Sequence, residues 1–207
     1  MRFAPQAQRA RNLRSRLSAA GGWVTLRAVC TECIVGKESM PNYRRAFVPG
    51  GTYFFTVVTA GREPWLGTEA GREILARAMR DVRARQPFRT DAIVVLPDHL
   101  HCVWTLPPHD CDFSNRWKAI KQRCSLQVRR QRLVFGDAVW QRRFWEHLIC
   151  DDADLERHID YIHYNPVKHG WVDHPRDWPA TSFRQHVEQG WYPADWGGPE
   201  VSFEAAE

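Results

Sequence analysis

Residues 88–96 and 99–106 are two β-branched, apolar-rich runs separated only by Pro97-Asp98. So short a break lets the second run pair with the first only antiparallel, because parallel pairing needs a crossover of about a dozen residues or more. Pro87 and Pro107-Pro108 bound the pair and stop it from extending. An antiparallel hairpin is therefore the element around which the rest of the chain must be arranged. A third strand is predicted over 52–59, where Thr52-Tyr53-Phe54-Phe55-Thr56-Val57-Val58-Thr59 follows the turn signal Gly50-Gly51.

Helices fill the intervals. Ile74, Leu75, Ala78, Met79 and Val82 recur at helical spacing within 69–86, and Pro87 stops that helix. A second helix, basic and amphipathic, is predicted over 113–133. Asp151-Asp152 can cap a third, expected to end near Asn165 because Pro166 disfavours helical geometry in the residue before it. The segment between, Trp140-Gln141-Arg142-Arg143-Phe144-Trp145-Glu146-His147, reads as an aromatic-basic loop. The order β-α-β-β-α, then loop and helix, predicts an α+β fold: a ferredoxin-like antiparallel sheet of three or four strands, with helices on one or both faces.

The length suits one domain, placed at 40–207. Its tail, about 171–207, is rich in Trp and Pro (Trp171, Trp178, Trp191, Trp196) and is expected to wrap the surface. Residues 1–39 lack periodicity and read as a disordered basic arm, with Met40 resembling a natural beginning. That arm holds seven basic side chains against Glu32 and Glu38, which accounts for the whole net charge of +5 and leaves 40–207 neutral. Within 40–207 the charges segregate. Nine cations between Ser114 and His147, among them Arg116, Lys121, Arg123, Arg142 and Arg143, face only Asp137 and Glu146, enough for a phosphate-attracting surface. Cys30 and Cys33 form a CxxC with no second pair at zinc spacing. The six cysteines are too sparse for a disulfide framework, and no apolar stretch reaches membrane length. A cytoplasmic protein is expected.

The chemistry centres on Pro97-Asp98-His99-Leu100-His101-Cys102. Side chains alternate on a strand, so His99 and His101 share one face, about 7 Å apart, while Leu100 and Cys102 take the other. Such a pair can grip one metal ion if a third ligand arrives from elsewhere. On the third helix Leu155, Ile159 and Ile162 mark the buried stripe. Tyr161 and Asn165, four residues apart, lie one above the other beside it, whereas Tyr164 points away. A phosphodiester needs a nucleophile and a nearby cation. A phenol, with a reference pKa of about 10, is a weak nucleophile but a fair leaving group, so a phosphotyrosine link conserves the energy of the broken bond.

Five ordered strings resemble one family: Asn42-Tyr43-Arg44-Arg45, Gly50-Gly51-Thr52-Tyr53-Phe54-Phe55-Thr56-Val57, Val95-Leu96-Pro97-Asp98-His99-Leu100-His101-Cys102-Val103-Trp104-Thr105-Leu106-Pro107, Trp140 through His147, and Asp160-Tyr161-Ile162-His163-Tyr164-Asn165-Pro166-Val167-Lys168-His169-Gly170. They look like the REP-associated tyrosine transposases, domesticated relatives of the single-tyrosine HUH transposases. The resemblance implies that His99 and His101 bind a divalent metal, that Tyr161 is the nucleophile and that Asn165 joins the metal shell. It further implies single-stranded hairpin DNA, the repetitive extragenic palindromes, as partner, and a 5′-phosphotyrosine intermediate. A monomer is expected, nucleoid-associated when on DNA. DNA contacts are expected from Arg44, Arg45, Lys121, Arg123, Arg142, Arg143 and Lys168. Paired imidazoles by themselves favour zinc, nickel or copper, but the resemblance implies Mg2+ or Mn2+, with the scissile phosphate and water supplying oxygen ligands.

Two other functions fit parts of the pattern. A hairpin-binding regulator that does not cut would need the basic segment and could dispense with Tyr161. A metal-dependent nucleotide phosphohydrolase would need a phosphate loop or further carboxylates, and Asp98 alone offers little.

Overall fold

The Pro97-Asp98 break closes as a tight turn, with the Leu96 N–H donating to the His99 carbonyl at 2.8 Å. In the computed structural model, which describes residues 45–134 and 136–198, β2 (Arg89–Val95) and β3 (His99–Thr105) form the expected hairpin, Val95 opposite Leu100. β1 (Thr52–Val58) pairs antiparallel with the other side of β3, Thr56 opposite His101 and Val58 opposite His99. The 140–147 segment is not all loop. β4 (Trp145–Leu148) adds to the free side of β1, Thr56 opposite Trp145. Four residues containing a Glu and a His are too short a run to show alternation, and the ladder to β1 makes them a strand. The sheet order β2-β3-β1-β4, with two helices inserted as β-α-β-β-α-β, is the ferredoxin-like arrangement.

Alternation along the strands sorts two cores. Tyr53, Phe55, Val57, Leu100, Cys102 and Trp104 face α1 (Glu69–Arg85) and α2 (Phe113–Arg130). There Trp104 and Trp117 stack with centroids 4.2 Å apart. Phe54, Val94 and Val103 face α3 (Asp152–Lys168), which contributes Leu155, Ile159 and Ile162. Thr68, Asp112 and Asp151 cap the three helices, each accepting from the backbone N–H three residues on.

Two further expectations need correction. Helix α3 does not end at Asn165 but continues through Pro166 to Lys168. Proline removes only one late hydrogen bond there, and the end is closed instead by Gly170 at φ +68. Gly170 N–H donates to Val167 O at 2.9 Å and Trp171 N–H to Pro166 O at 3.0 Å, a Schellman ending. Nor does the tail merely wrap the surface. Residues 180–182 run along the outer edge of β2, Thr181 opposite Val94, with Ser182 N–H donating to Ile93 O at 2.9 Å. They cover an edge that would otherwise expose unpaired backbone. Behind them α4 (Phe183–Glu188), Trp191, Tyr192 and Trp196 complete the second core. Among the described residues no helix is long and apolar enough to cross a membrane. The arm 1–39, including Cys30 and Cys33, lies outside the described residues.

Candidate active site

The two strand histidines are buried on the α3 side of the sheet, ring centroids 5.0 Å apart and planes at 83°. Each is held through Nδ1. His99 Nδ1 lies 2.6 Å from Asp98 Oδ1, and His101 Nδ1 lies 2.9 Å from Thr56 Oγ1, its cross-strand partner. With Nδ1–H given to an oxygen, each ring presents the Nε2 lone pair to the site, the form a metal needs. Burial pushes the His101 pKa well below its ordinary value, and His99, His169 and Lys168 push it the same way, so the ring stays neutral near pH 7. Burial raises the pKa of Asp98, but hydrogen bonds from His99 and Arg62 outweigh it and leave the group below its ordinary value.

Helix α3 supplies the other side. The Tyr161 ring meets His101 edge-on at 5.2 Å and Phe54 at 6.0 Å. One turn on, Asn165 is fully buried, and neither Oδ1 nor Nδ2 has a hydrogen-bond partner among the described residues. Leaving such a group unpaired costs about 1–3 kcal/mol, so the position calls for a further ligand. An oxygen-seeking divalent ion beside two Nε2 atoms would satisfy Oδ1, and the residues present fit one. Because the helix runs past Pro166, it also brings Lys168 Nζ to 5.2 Å from the Tyr161 ring centre and His169 to 5.4 Å from His99. Tyr164 packs against the second core.

A second group, His147, Asp154 and His158, gathers three donor atoms within 4.8 Å of one another. The two rings lie 4.7 Å apart at only 16°. In-plane lone pairs on nearly parallel rings cannot converge on one ion. Asp154 instead engages both: its Oδ2 lies 2.8 Å from His147 Nε2, while His158 Nδ1 sits 2.8 Å from the Asp154 backbone carbonyl and 3.1 Å from Oδ1. Burial works against its ionisation, yet these bonds hold its pKa far below the ordinary carboxylate value.

The expected DNA-binding residues scatter. Lys168 stands at the site, and Arg142 and Arg143 are exposed just before β4. Arg45 and Arg143 line a groove of about 620 Å³ with Thr56, Gln141, Phe144 and Trp145. Arg45 there pairs with Glu146 at 3.1 Å and covers Phe144. Lys121 is half-buried, donating to Gln141 O at 2.9 Å, and burial with Arg45 nearby pulls its pKa down to about 8. Arg123 lies against α1, 3.7 Å from Asp81, and is not brought to the site. Arg116, counted among the basic cluster, is only 2% exposed and pairs with Asp110 at 2.6 Å. Arg44 lies outside the described residues. Thr56, Phe54 and His169 escaped the sequence reading. Only strand register reveals Thr56, and only the helix continuing past Pro166 reveals His169.

A ferredoxin-like sheet carrying two histidines, faced by a helix with a tyrosine and an amide one turn apart, defines a class. Residues 48–165 match the family described as "Transposase IS200 like", and the chain belongs to that family. More particularly, it is similar to the REP-associated tyrosine transposase of Escherichia coli (strain K12), 44% identical over 172 residues that cover 81% of this chain and 98% of that one. It is likewise similar to a solved structure of "the REP associates tyrosine transposase bound to a REP hairpin". That match has a TM-score of 0.71, 44% identity and coverage of 81% of this chain and 98% of the other.

Proposed function

We propose that the protein cuts and rejoins single-stranded DNA at the foot of repetitive extragenic palindrome hairpins, through a 5′-phosphotyrosine on Tyr161. The observation that carries this reading is the Tyr161 ring 5.2 Å from His101, one helical turn before a buried Asn165 amide that has no hydrogen-bond partner among the described residues. The hairpin-bound relative supports the substrate. The Tyr161 oxygen attacks the phosphorus, the bond to the 3′ oxygen breaks, and the departing strand takes a proton to end as a free 3′-hydroxyl. Reversal by a 3′-hydroxyl expels the phenolate and restores the phosphodiester without an external energy source. A Mg2+ or Mn2+ held by His99 Nε2, His101 Nε2 and Asn165 Oδ1 would offset charge on the non-bridging oxygens. Asp98 and Thr56 hold the two rings in register, and Lys168 places a cation beside the nucleophile.

The test is covalent. Incubation with a hairpin oligonucleotide is expected to give a denaturant-resistant adduct that mass spectrometry maps to Tyr161. Tyr161→Phe abolishes cleavage and keeps binding, whereas Tyr164→Phe continues to cut. An adduct on Tyr164 would overturn the site. Cleavage without any adduct would make water the nucleophile, and binding without cleavage would favour a regulator.

A further inference from the structure

We propose that Trp145 is the stacking platform for one unpaired nucleobase next to the scissile phosphate. The inference rests on the reading of the site as DNA-cleaving. Trp145 is 50% exposed although it belongs to a strand. Its inner side is firmly seated: the ring lies parallel to His147 (6.0 Å, 5°) and meets the edge of Phe54 (5.6 Å, 71°). His147 stacks in turn on His158; His147 bonds to the buried carboxylate of Asp154, and His158 Nδ1 bonds to the Asp154 carbonyl with Oδ1 3.1 Å away. This gives the cluster a part to play: it fixes the plane of a ring whose outer face is open. Aromatic faces held in this way bind bases of any sequence, because every base has a π-face.

Position names the occupant. Trp145 is the Cα partner of Thr56, and Thr56 of His101, so the three stand in a row on the α3 face of the sheet. Two inter-strand steps place Trp145 about 10 Å from His101, within reach of a nucleotide adjoining the cut. The groove beside it holds Arg143, which has no ion-pair partner among the described residues, while Arg45 is matched by Glu146. One open cation beside one open ring suits the phosphate and base of a single nucleotide. Paired bases hide their faces within the duplex stack, so the ring discriminates for unpaired DNA.

The experiment uses the full chain without added metal and a hairpin oligonucleotide with a single-stranded flank at its foot. The base analogue 2-aminopurine is placed at one flank position at a time. Wild type is expected to quench its fluorescence at a position beside the cut. Trp145→Phe keeps most of the flanked-hairpin affinity, because a phenyl ring still stacks on a base. Trp145→Ala loses the quenching, binds the flanked hairpin roughly ten- to a hundredfold more weakly, and binds the blunt hairpin as wild type does. Unchanged blunt-hairpin affinity doubles as the check that the variant is folded, and Trp145→Leu gives a second ring-free variant. No quenching in wild type, unchanged flanked-hairpin affinity in both ring-free variants, or equal loss on both hairpins in both of them would each overturn the proposal. Because nothing is cut in this assay, a failure of the cleavage reading is seen separately, in the Tyr161 adduct.

Discussion

Asn165 occupies a position that stability alone does not justify. A fully buried amide with no hydrogen-bond partner among the described residues is a cost to the folded chain, and a metal shell is the use proposed for it. Asn165→Ala removes that unpaired group and leaves a small cavity, two effects of opposite sign and of about 1–3 kcal/mol each. The metal-free protein is therefore expected to melt within a few degrees of wild type, while calorimetric Mn2+ affinity falls markedly. A large loss of apo stability with unchanged Mn2+ binding would make the amide structural. The same logic separates the two imidazoles from an ordinary buried pair. Each has a named oxygen on Nδ1, from Asp98 or from Thr56, which a ring packed only for bulk would not require.

Among the elements, α3 determines how complete the site is. Tyr161, Asn165 and the C-cap residue His169 follow one another at one-turn spacing on the site-facing side of α3, and the last lies beyond the proline. The left-handed Gly170 holds that final turn in place. Gly170→Ala is expected to cost about 1 kcal/mol in denaturant unfolding, because a Cβ strains a residue at positive φ. Gly170→Asn, which tolerates that conformation better, should recover part of the loss. Equal stability of all three proteins would mean that the Schellman ending contributes nothing. The strand β4 teaches a complementary point. Its four residues have little strand signal of their own, yet docking on β1 aligns Trp145 and Thr56 on one face.

For the whole molecule, the second core ties the tail to α3, and it does so through buried histidines. His163 Nε2 and His186 Nδ1 lie 2.8 Å apart, joining α3 to α4. Burial pushes the His186 pKa down to about 4. An unfolded imidazole, near 6.5, binds a proton that the folded one refuses. The stabilisation is therefore complete above about pH 7 and is lost as pH falls from about 6.5 towards 4, by up to about 3 kcal/mol. The buried His101 acts in the same direction. Asp154, with its pKa held low, adds a loss only in stronger acid. Melting temperatures of the metal-free protein should fall between pH 7 and pH 4.5, and His186→Gln should flatten the decline. A level profile in wild type would contradict the burial of His186.

Local pattern alone determined the hairpin, the three long helices and the placing of His99 and His101 on one strand face. Alternation and helical spacing are properties of consecutive residues, so a single sequence displays them. The pairing of Tyr161 with Asn165 on one helical face was legible for the same reason. Which partners meet across the chain was decided by the tertiary structure. Thr56 reaches His101 through strand register, Trp145 joins the sheet because β1 offers a free edge, and Trp191 and Trp196 fill a core instead of lying on the surface. Arg116 and Lys121 read as open cations, but packing neutralised one with Asp110 and half-buried the other against Gln141. Such outcomes depend on contacts between residues distant in sequence, whose energies no local window contains.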